Sequence, residues 1–209
     1  MPSSFFPRLV TLLIGLALMA FGVVLSIHSQ LGTSPISSVP YSFSFILNMS
    51  IGTLTIFMHF VMIILQMVLL KKDFQWHQWL QLPVGIVFGM MIDSLMLWSN
   101  HWNISIYLSQ ISACLTSCLI TAIGVCLVIK ANLVFLAGEG LYAAISKCFA
   151  VEFGKCKTYG DITLVLIAIL SSGLALGHIV GVREGTILTA LLVGTLVKYL
   201  LPKLKFIQF

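Results

Sequence analysis

The sequence predicts an all-α integral membrane protein with six transmembrane helices and two short re-entrant half-helices, arranged as two inverted repeats. This prediction is based on an apolar composition, six long apolar segments, and a similarity between the two halves of the chain. Of the 209 residues, 59% are hydrophobic and only 8% are charged, whereas a soluble domain carries about 25% charged residues. So few charges cannot cover a water-facing surface, and most of the surface must therefore face lipid.

The lengths of the apolar segments predict the spans. Crossing a bilayer takes about 20 consecutive apolar residues. The first long segment is too long for a signal peptide, and no small-residue cleavage site follows it. Two further segments, 35–48 and 138–150, are too short to cross, and each adjoins a turn-like stretch rich in small or polar residues. The predicted spans cover about residues 8–28, 52–70, 79–98, 106–129, 158–177 and 185–201.

The positions of the basic residues predict the topology, because cytoplasmic loops are enriched in Lys and Arg. With Arg8 inside and both short segments re-entrant, only Arg183 is external, and the loop 99–105 contains no Lys or Arg. Crossing of both short segments would place Lys71 and Lys72 outside. The sequence thus predicts a multi-pass protein of an inner (plasma) membrane with both termini cytoplasmic. The lysines predicted to be inside are Lys71, Lys72, Lys130, Lys147, Lys155, Lys157, Lys203 and Lys205.

The two halves of the chain resemble each other at an offset of 102 residues. Gly22 then aligns with Gly124, and Gly52 aligns with Gly154. We therefore predict a single membrane domain over 1–209, with repeat 1 at about 8–98 and repeat 2 at about 106–201. Three crossings per repeat invert the second relative to the first. Inverted repeats with interrupted helices are typical of secondary transporters, whose sites lie near the bilayer midplane.

Glu139 is the leading candidate for a substrate- or ion-binding residue. It lies near the start of the second short segment between Gly138 and Gly140, where the backbone can approach a ligand closely. An ionisable group within a membrane segment is costly and is therefore a site hypothesis. The alternative is a carboxylate that only stabilises the start of its helix.

The start of the first short segment is the second candidate. Ser34, Ser37 and Ser38 place hydroxyl groups at a predicted helix start, a setting that suits an anionic group. Ordinary helix capping is the alternative. Gln30 and Asn132 correspond under the offset and either line the same vestibule or are plain turn residues.

Three further ionisable groups lie within or beside predicted spans. Asp161 and His59 correspond under the offset. Asp161 either titrates in a site or pairs with Lys157 one turn earlier. His59 is either a relay or a satisfied interior group. Asp93 lies deep in an apolar run, so we expect it to face protein or water rather than lipid.

Several functional classes find no support in the sequence. No dinucleotide or phosphate-binding motif, zinc-ligand spacing or catalytic grouping is present, so we expect no enzyme activity, no cofactor, no metal and no nucleic-acid partner. Cys114 and Cys118 share a helix face, an arrangement that suits a soft metal ion. Cysteines in apolar helices are, however, usually small buried hydrophobes. The expected partners are the lipid bilayer and an unidentified small molecule or ion. Gly85-x-x-x-Gly89 permits close helix packing, within the chain or in a homodimer.

Several motifs resemble those of one family of bacterial membrane proteins. They are Leu31-Gly32-Thr33-Ser34-Pro35, Gly138-Glu139-Gly140-Leu141, Phe153-Gly154-Lys155-Cys156-Lys157 with Asp161, and the most specific, Gly181-Val182-Arg183-Glu184-Gly185-Thr186. Together they resemble the uncharacterised YczE/YyaS/YitT family across nearly the whole chain. The resemblance implies a bacterial cytoplasmic-membrane location and names no substrate. Family members often carry an aromatic and an acidic residue after the first-half proline, where this sequence has Ile36 and Ser37.

The architecture favours a small secondary transporter whose site lies between the two half-helices, with Glu139 as the coupling or counter-charge group. A substrate-capture subunit of a larger importer, or a non-transporting accessory membrane protein, is the alternative. Co-purification with an ATPase module would support a capture subunit, and transport by the purified protein alone would exclude it. Conductance without coupling would reveal a channel.

Overall fold

The protein is all-helical. A computed structural model describes residues 5–204 as eight α-helices joined by short loops, with two 3₁₀ turns between α3 and α4 and no strand in that range. Lys205, which the topology prediction placed inside, lies outside the described residues. The helices are α1 (Phe5–His28), α2 (Pro35–Leu47), α3 (Ile51–Leu70), α4 (Gln81–Trp98), α5 (Tyr107–Ala131), α6 (Ala137–Phe149), α7 (Phe153–Leu176) and α8 (Glu184–Leu200).

Among the described residues, five helical stretches are long and apolar enough to cross a membrane. They contain α1, α3, α4, α5 and α7, and they match five of the six predicted spans. The sixth predicted span corresponds to α8, which has 17 residues and a length of about 26 Å at 1.5 Å per residue. Several long apolar helices of this kind indicate a multi-pass membrane protein.

Two helices are far shorter than the others. α2 and α6 have 13 residues each, which gives a length of about 20 Å against a hydrocarbon core of about 30 Å. Neither can cross a bilayer as a single straight helix. The two short apolar segments of the sequence are therefore separate short helices.

The helix boundaries recur along the chain. α2 begins at Pro35 and α6 at Ala137, 102 residues later, and α3 and α7 begin at Ile51 and Phe153 with the same separation. The residues that follow the two short helices, Asn48 and Ala150, both have a positive φ, of 51° and 52°. The same order of helices is thus present in both halves of the chain.

The chain divides into two compact units, and each contains segments from both halves. Among the described residues, the α1/α5 unit comprises 5–34, Met91–Leu133 and 181–204. The α2/α6 unit comprises Pro35–Met90 and Val134–Val180. α4 contributes its first residues to the α2/α6 unit and the remainder to the α1/α5 unit.

In the α1/α5 unit, α1 and α5 pack along glycines. A Cβ atom on Gly15 would lie 2.9 Å from the Gly124 carbonyl oxygen, and one on Gly124 would lie 2.7 Å from the Gly15 carbonyl oxygen. Further along α1, Gly22 packs against Thr121 and the Ser117 carbonyl. Later residues of α1 contact earlier residues of α5, so the two helices run antiparallel. Small residues permit this close approach.

The same unit joins the loop before α2 to the start of α8. The Gly185 N–H donates to the Leu31 carbonyl at 2.7 Å, and the Thr33 N–H donates to the Gly181 carbonyl at 2.9 Å. The Arg183 guanidinium donates to the Gln30 carbonyl at 2.9 Å. The Leu31–Ser34 stretch and the Gly181–Thr186 stretch, far apart in sequence, therefore bind each other through their backbones.

In the α2/α6 unit, each short helix packs against both α3 and α7. Buried Met62 and Ile63 of α3 and Ala137 and Leu141 of α6 form its apolar core. α4 packs on α3 through the predicted Gly85-x-x-x-Gly89 motif, because Gly85 contacts His59, and Gly89 contacts Ile56 and the Gly52 carbonyl. This motif therefore serves packing within the chain. Homodimer formation stays a prediction.

Candidate functional site

The first turn of α6 lies among close neighbours. The residue before it, Leu136, provides no side-chain cap, and Glu139 is the third residue of the helix. Gly138 contacts the Cδ1 atom of Ile36, the second residue of α2, so the two short helices meet at their first turns. These two positions correspond under the offset of 102 residues. At this meeting point, where the sequence predicted a polar site, the contact between the two helices is apolar.

A buried pair of amides lies beside this turn. Gln66 Nε2 donates to Gln81 Oε1 at 3.0 Å and to the Ala137 carbonyl at 3.0 Å, and Gln81 Nε2 donates back to Gln66 Oε1 at 3.1 Å. The Gln66 side chain is fully buried, and Gln81 is 4% exposed. A Cβ atom on Gly140 would lie 2.8 Å from Gln66 Oε1. Gly140 is therefore needed for the amide pair to approach the helix.

A charged cluster joins α6 to α7. The Tyr142 hydroxyl donates to Asp161 Oδ1 at 2.9 Å, and Lys157 Nζ donates to Asp161 Oδ2 at 3.1 Å. The predicted pairing of Asp161 with Lys157 is confirmed as an ion pair one turn apart. Gly160 leaves room for the Tyr142 ring, which packs directly on its backbone. Both oxygens of the Asp161 carboxylate are thus hydrogen-bonded.

Glu139 adds a second carboxylate to this cluster. It is close enough to interact electrostatically with Lys157 and Tyr142. It lies outside the three ion pairs formed by residues 5–204, which are Lys147–Asp73, Lys157–Asp161 and Arg183–Glu184. With Lys157 already paired, the cluster of two carboxylates and one ammonium carries one excess negative charge when all three groups are ionised. Such a cluster favours a cation.

Of the three predicted serines, Ser38 is engaged in the local structure of α2. The Ser38 hydroxyl is fully buried and donates to the Pro35 carbonyl of its own helix at 2.7 Å. Ser37 is buried at 8% exposure. Ser34 belongs to the α1/α5 unit, whereas Ser37 and Ser38 belong to the α2/α6 unit. The bond of Ser38 within its own first turn favours the capping interpretation for that residue.

His59 is an interior residue that lacks a full set of hydrogen bonds. It is 3% exposed, and its ring stacks on Phe88 with 6.0 Å between the ring centres. Its Nδ1 atom has no hydrogen-bond partner in the described part of the chain. His59 therefore lies in the interior, but the predicted alternative of a satisfied interior group is wrong at Nδ1.

The other three predicted residues lie in the α1/α5 unit. Gln30 and Asn132 follow α1 and α5 with positive φ values of 57° and 46°. Their N–H groups donate to Ile27 and Ile129, again 102 residues apart. These bonds are typical of turns that end a helix. Asp93 lies in α4 and is half-buried.

An apolar cavity of about 690 Å³ lies within the α2/α6 unit, between α3, α6 and α7. None of the residues predicted from sequence lines it. Tyr142 connects it to the charged cluster, because Tyr142 is one of the lining residues and its hydroxyl binds Asp161. The other lining residues include Val61, Leu65, Ile145, Tyr159, Leu164 and Ile167.

Gln66, Gln81 and Tyr142 were not among the site residues predicted from the sequence. Gln66 is a polar residue inside an otherwise apolar stretch, a signal that marks a costly group with an internal partner. Gln81 and Tyr142 carry no such signal, since one adjoins a loop and the other is a common interfacial residue.

The described residues contain no group of three or more His, Cys, Asp or Glu side chains arranged to hold a metal ion. All five cysteines are free thiols. Cys114 and Cys118 lie side by side on α5, fully buried and within hydrogen-bonding reach of Thr189 on α8.

Comparison with known proteins places the chain in a family. No curated protein and no solved structure matches the sequence. One family model matches residues 6–202, which is nearly the whole chain, and its description is "Family of unknown function (DUF6198)". The expectation of an uncharacterised family is confirmed by this match. The chain belongs to the family of unknown function DUF6198.

Proposed function

We propose that this protein is a small secondary transporter that moves an unidentified small solute through a site beside the first turns of α2 and α6. The observation that carries the proposal is the pairing of these helices. Both are too short to span, and both pack between the same two long helices, α3 and α7. A polar cluster adjoins α6. Interrupted helices beside polar groups are typical of transporter sites.

An inverted-repeat architecture with six spans and re-entrant α2 and α6 is part of this proposal. The antiparallel packing of α1 on α5 supports it, because Gly22 meets Thr121 and Ser117 just as Gly124 meets Met19 and Gly15, each residue shifted by 102. α8 is the sixth span. With Arg8 and the lysines inside, both termini are cytoplasmic.

We also propose that the chain is related to the YczE/YyaS/YitT proteins and lies in a bacterial cytoplasmic membrane. Two of the motifs that resemble this family, in the Leu31–Ser34 and Gly181–Thr186 stretches, are hydrogen-bonded to each other, which supports this proposal. We assign no enzyme activity. The chemistry of the proposed site is binding and charge compensation rather than bond making.

Glu139 is the coupling or counter-charge group in this proposal. Its position in the first turn of α6, beside the ion pair of Lys157 and Asp161, allows its carboxylate to exchange a proton or hold a cation. Ile36 and Gly138 are in contact where the first turns of the short helices meet. Separation of these two residues would open this junction.

The test uses purified protein in proteoliposomes, with transient currents recorded on a solid-supported membrane during a metabolite and cation screen. We expect Glu139→Gln to lose most of the current while its melting temperature stays near that of wild type. Glu152→Gln, an exposed carboxylate before α7, is the matched control. Unchanged current in Glu139→Gln would remove Glu139 from the mechanism, and the absence of both current and solute uptake under every condition would overturn the transporter proposal.

A further inference from the structure

The cavity of the α2/α6 unit has the size and lining of a ligand site. Its volume of about 690 Å³ falls within the range of about 300–1,000 Å³ that small-molecule sites occupy. Its lining is almost wholly apolar, and several of its outer side chains are exposed, among them Leu65 at 45% and Ile167 at 42%. An apolar molecule can therefore reach the cavity from the lipid.

The polar groups beside the cavity favour a positive charge. Tyr142 lines the cavity and donates to Asp161. Glu139 lies one helical turn before Tyr142 on α6, and Lys157 is already paired with Asp161. When all three groups are ionised the excess charge of the cluster is negative, so a cation at this end of the cavity meets net attraction.

Aromatic side chains add to this preference. Tyr142, Phe149 and Tyr159 are aromatic residues of the cavity lining. The Lys157 ammonium already lies 5.5 Å from the centre of the Tyr142 ring, a distance at which an aromatic face attracts a cation. The same rings would contact the aromatic or alkyl groups of a large organic cation.

We propose that this cavity binds a lipophilic monocation, with its apolar body between α3, α6 and α7 and its charge at the Tyr142 end, beside the carboxylates of Glu139 and Asp161. As a substrate class, this inference rests on the proposed transport function, whereas binding is measured without transport. A neutral lipid chain would fill the same apolar space without using the carboxylates.

Two ions of equal size and shape but opposite charge test the inference. Binding of tetraphenylphosphonium and tetraphenylborate is measured by equilibrium dialysis against detergent-purified protein, with protein-free micelles subtracted. We expect saturable binding of the cation, and weakening on the order of tenfold in Glu139→Gln. Glu152→Gln should bind as wild type does. Equal binding of both ions, or an unchanged affinity in Glu139→Gln, would overturn the inference.

A variant that fills the cavity provides a second test of the binding site. Leu164 lines the cavity, whereas Leu174 lies further along α7 and is 87% exposed. Leu164→Trp should abolish cation binding, and Leu174→Trp should preserve it. Normal binding in Leu164→Trp, or tightly held phospholipid that the cation does not displace, would overturn the site. Specific binding without current in proteoliposomes would support this site and contradict the transporter proposal.

Discussion

Ile36 lies with its Cδ1 atom against the backbone of Gly138, where the first turns of α2 and α6 meet. The two residues occupy corresponding positions in the two halves of the chain, 102 residues apart. Equivalent positions of the two halves are therefore in contact with each other here. Met62 of α3 lies beside it.

This contact predicts a specific double-mutant result. Gly138→Ala adds a methyl group where Ile36 already lies, which should cost about 1–3 kcal/mol of stability. Adding Ile36→Val, which removes that Cδ1 atom, should recover part of the loss. Melting temperatures in detergent measure both effects. Gly173→Ala in α7, where a Cβ atom meets nothing within 4 Å, is the control. Equal losses at Gly138 and Gly173 would contradict the contact.

The Gln66–Gln81 pair predicts that breaking one side costs more than replacing both. Gln66→Leu leaves the buried Gln81 amide without its partner, which should cost about 1–3 kcal/mol. Gln66→Leu combined with Gln81→Leu removes both polar groups, and we expect it to be less destabilised than Gln66→Leu alone. Thermal unfolding in detergent checks the order of the three proteins. A double variant that is the least stable would show that the amides act independently.

Gly32 predicts a large effect from a single methyl group. It has a φ of 97°, and a Cβ atom on it would lie 2.6 Å from the Arg183 backbone nitrogen. Gly177 also has a positive φ, of 74°, but has open space around it. Both alanine variants strain the backbone, but only the one at position 32 is also crowded by neighbouring atoms. We therefore expect Gly32→Ala to be less stable than Gly177→Ala by about 1–3 kcal/mol. Equal melting temperatures would mean that crowding contributes nothing.

Much of the helix pattern was predictable from the sequence. Predicted segments 35–48 and 138–150 became α2, Pro35–Leu47, and α6, Ala137–Phe149, because apolar runs bounded by turn residues fix a helix locally. α7 begins at Phe153, five residues before its predicted span. The predicted span began only at residue 158 because Lys155 and Lys157 are not apolar. Lysine is nevertheless a good helix former, and the helix includes both residues.

The candidate site was predictable only in part. The pairing of Asp161 with Lys157 follows from helical spacing. The bonds from Gln66 to Gln81 and to Ala137 join residues 15 and 71 positions apart, and spacing in one sequence does not reveal such partners. The apolar cavity depends on how side chains of three helices leave space between them, which no local pattern specifies.

The proposed topology predicts which loops an impermeant reagent reaches. In a cysteine-free background, Lys72→Cys should resist a membrane-impermeant maleimide in intact spheroplasts and react after permeabilisation. Asn103→Cys, in the loop between α4 and α5, should react in intact spheroplasts. Both positions are exposed, so protection reports the membrane and not burial. Labelling of Lys72→Cys from outside would require α2 to cross the membrane, which would contradict the proposed re-entrant assignment.

His59 predicts a gain in stability from losing a polar group. Its buried Nδ1 atom has no hydrogen-bond partner among residues 5–204, and such an atom costs about 1–3 kcal/mol. His59→Leu should therefore melt at or above the wild-type temperature. His28→Leu should melt lower, because His28 Nε2 bonds the Ser99 hydroxyl at 2.8 Å. A stable His59→Leu protein that loses transport would assign His59 to the site, whereas one that keeps full transport would assign it to packing. Strong destabilisation of the His59→Leu protein would contradict the conclusion that His59 Nδ1 lacks a hydrogen-bond partner.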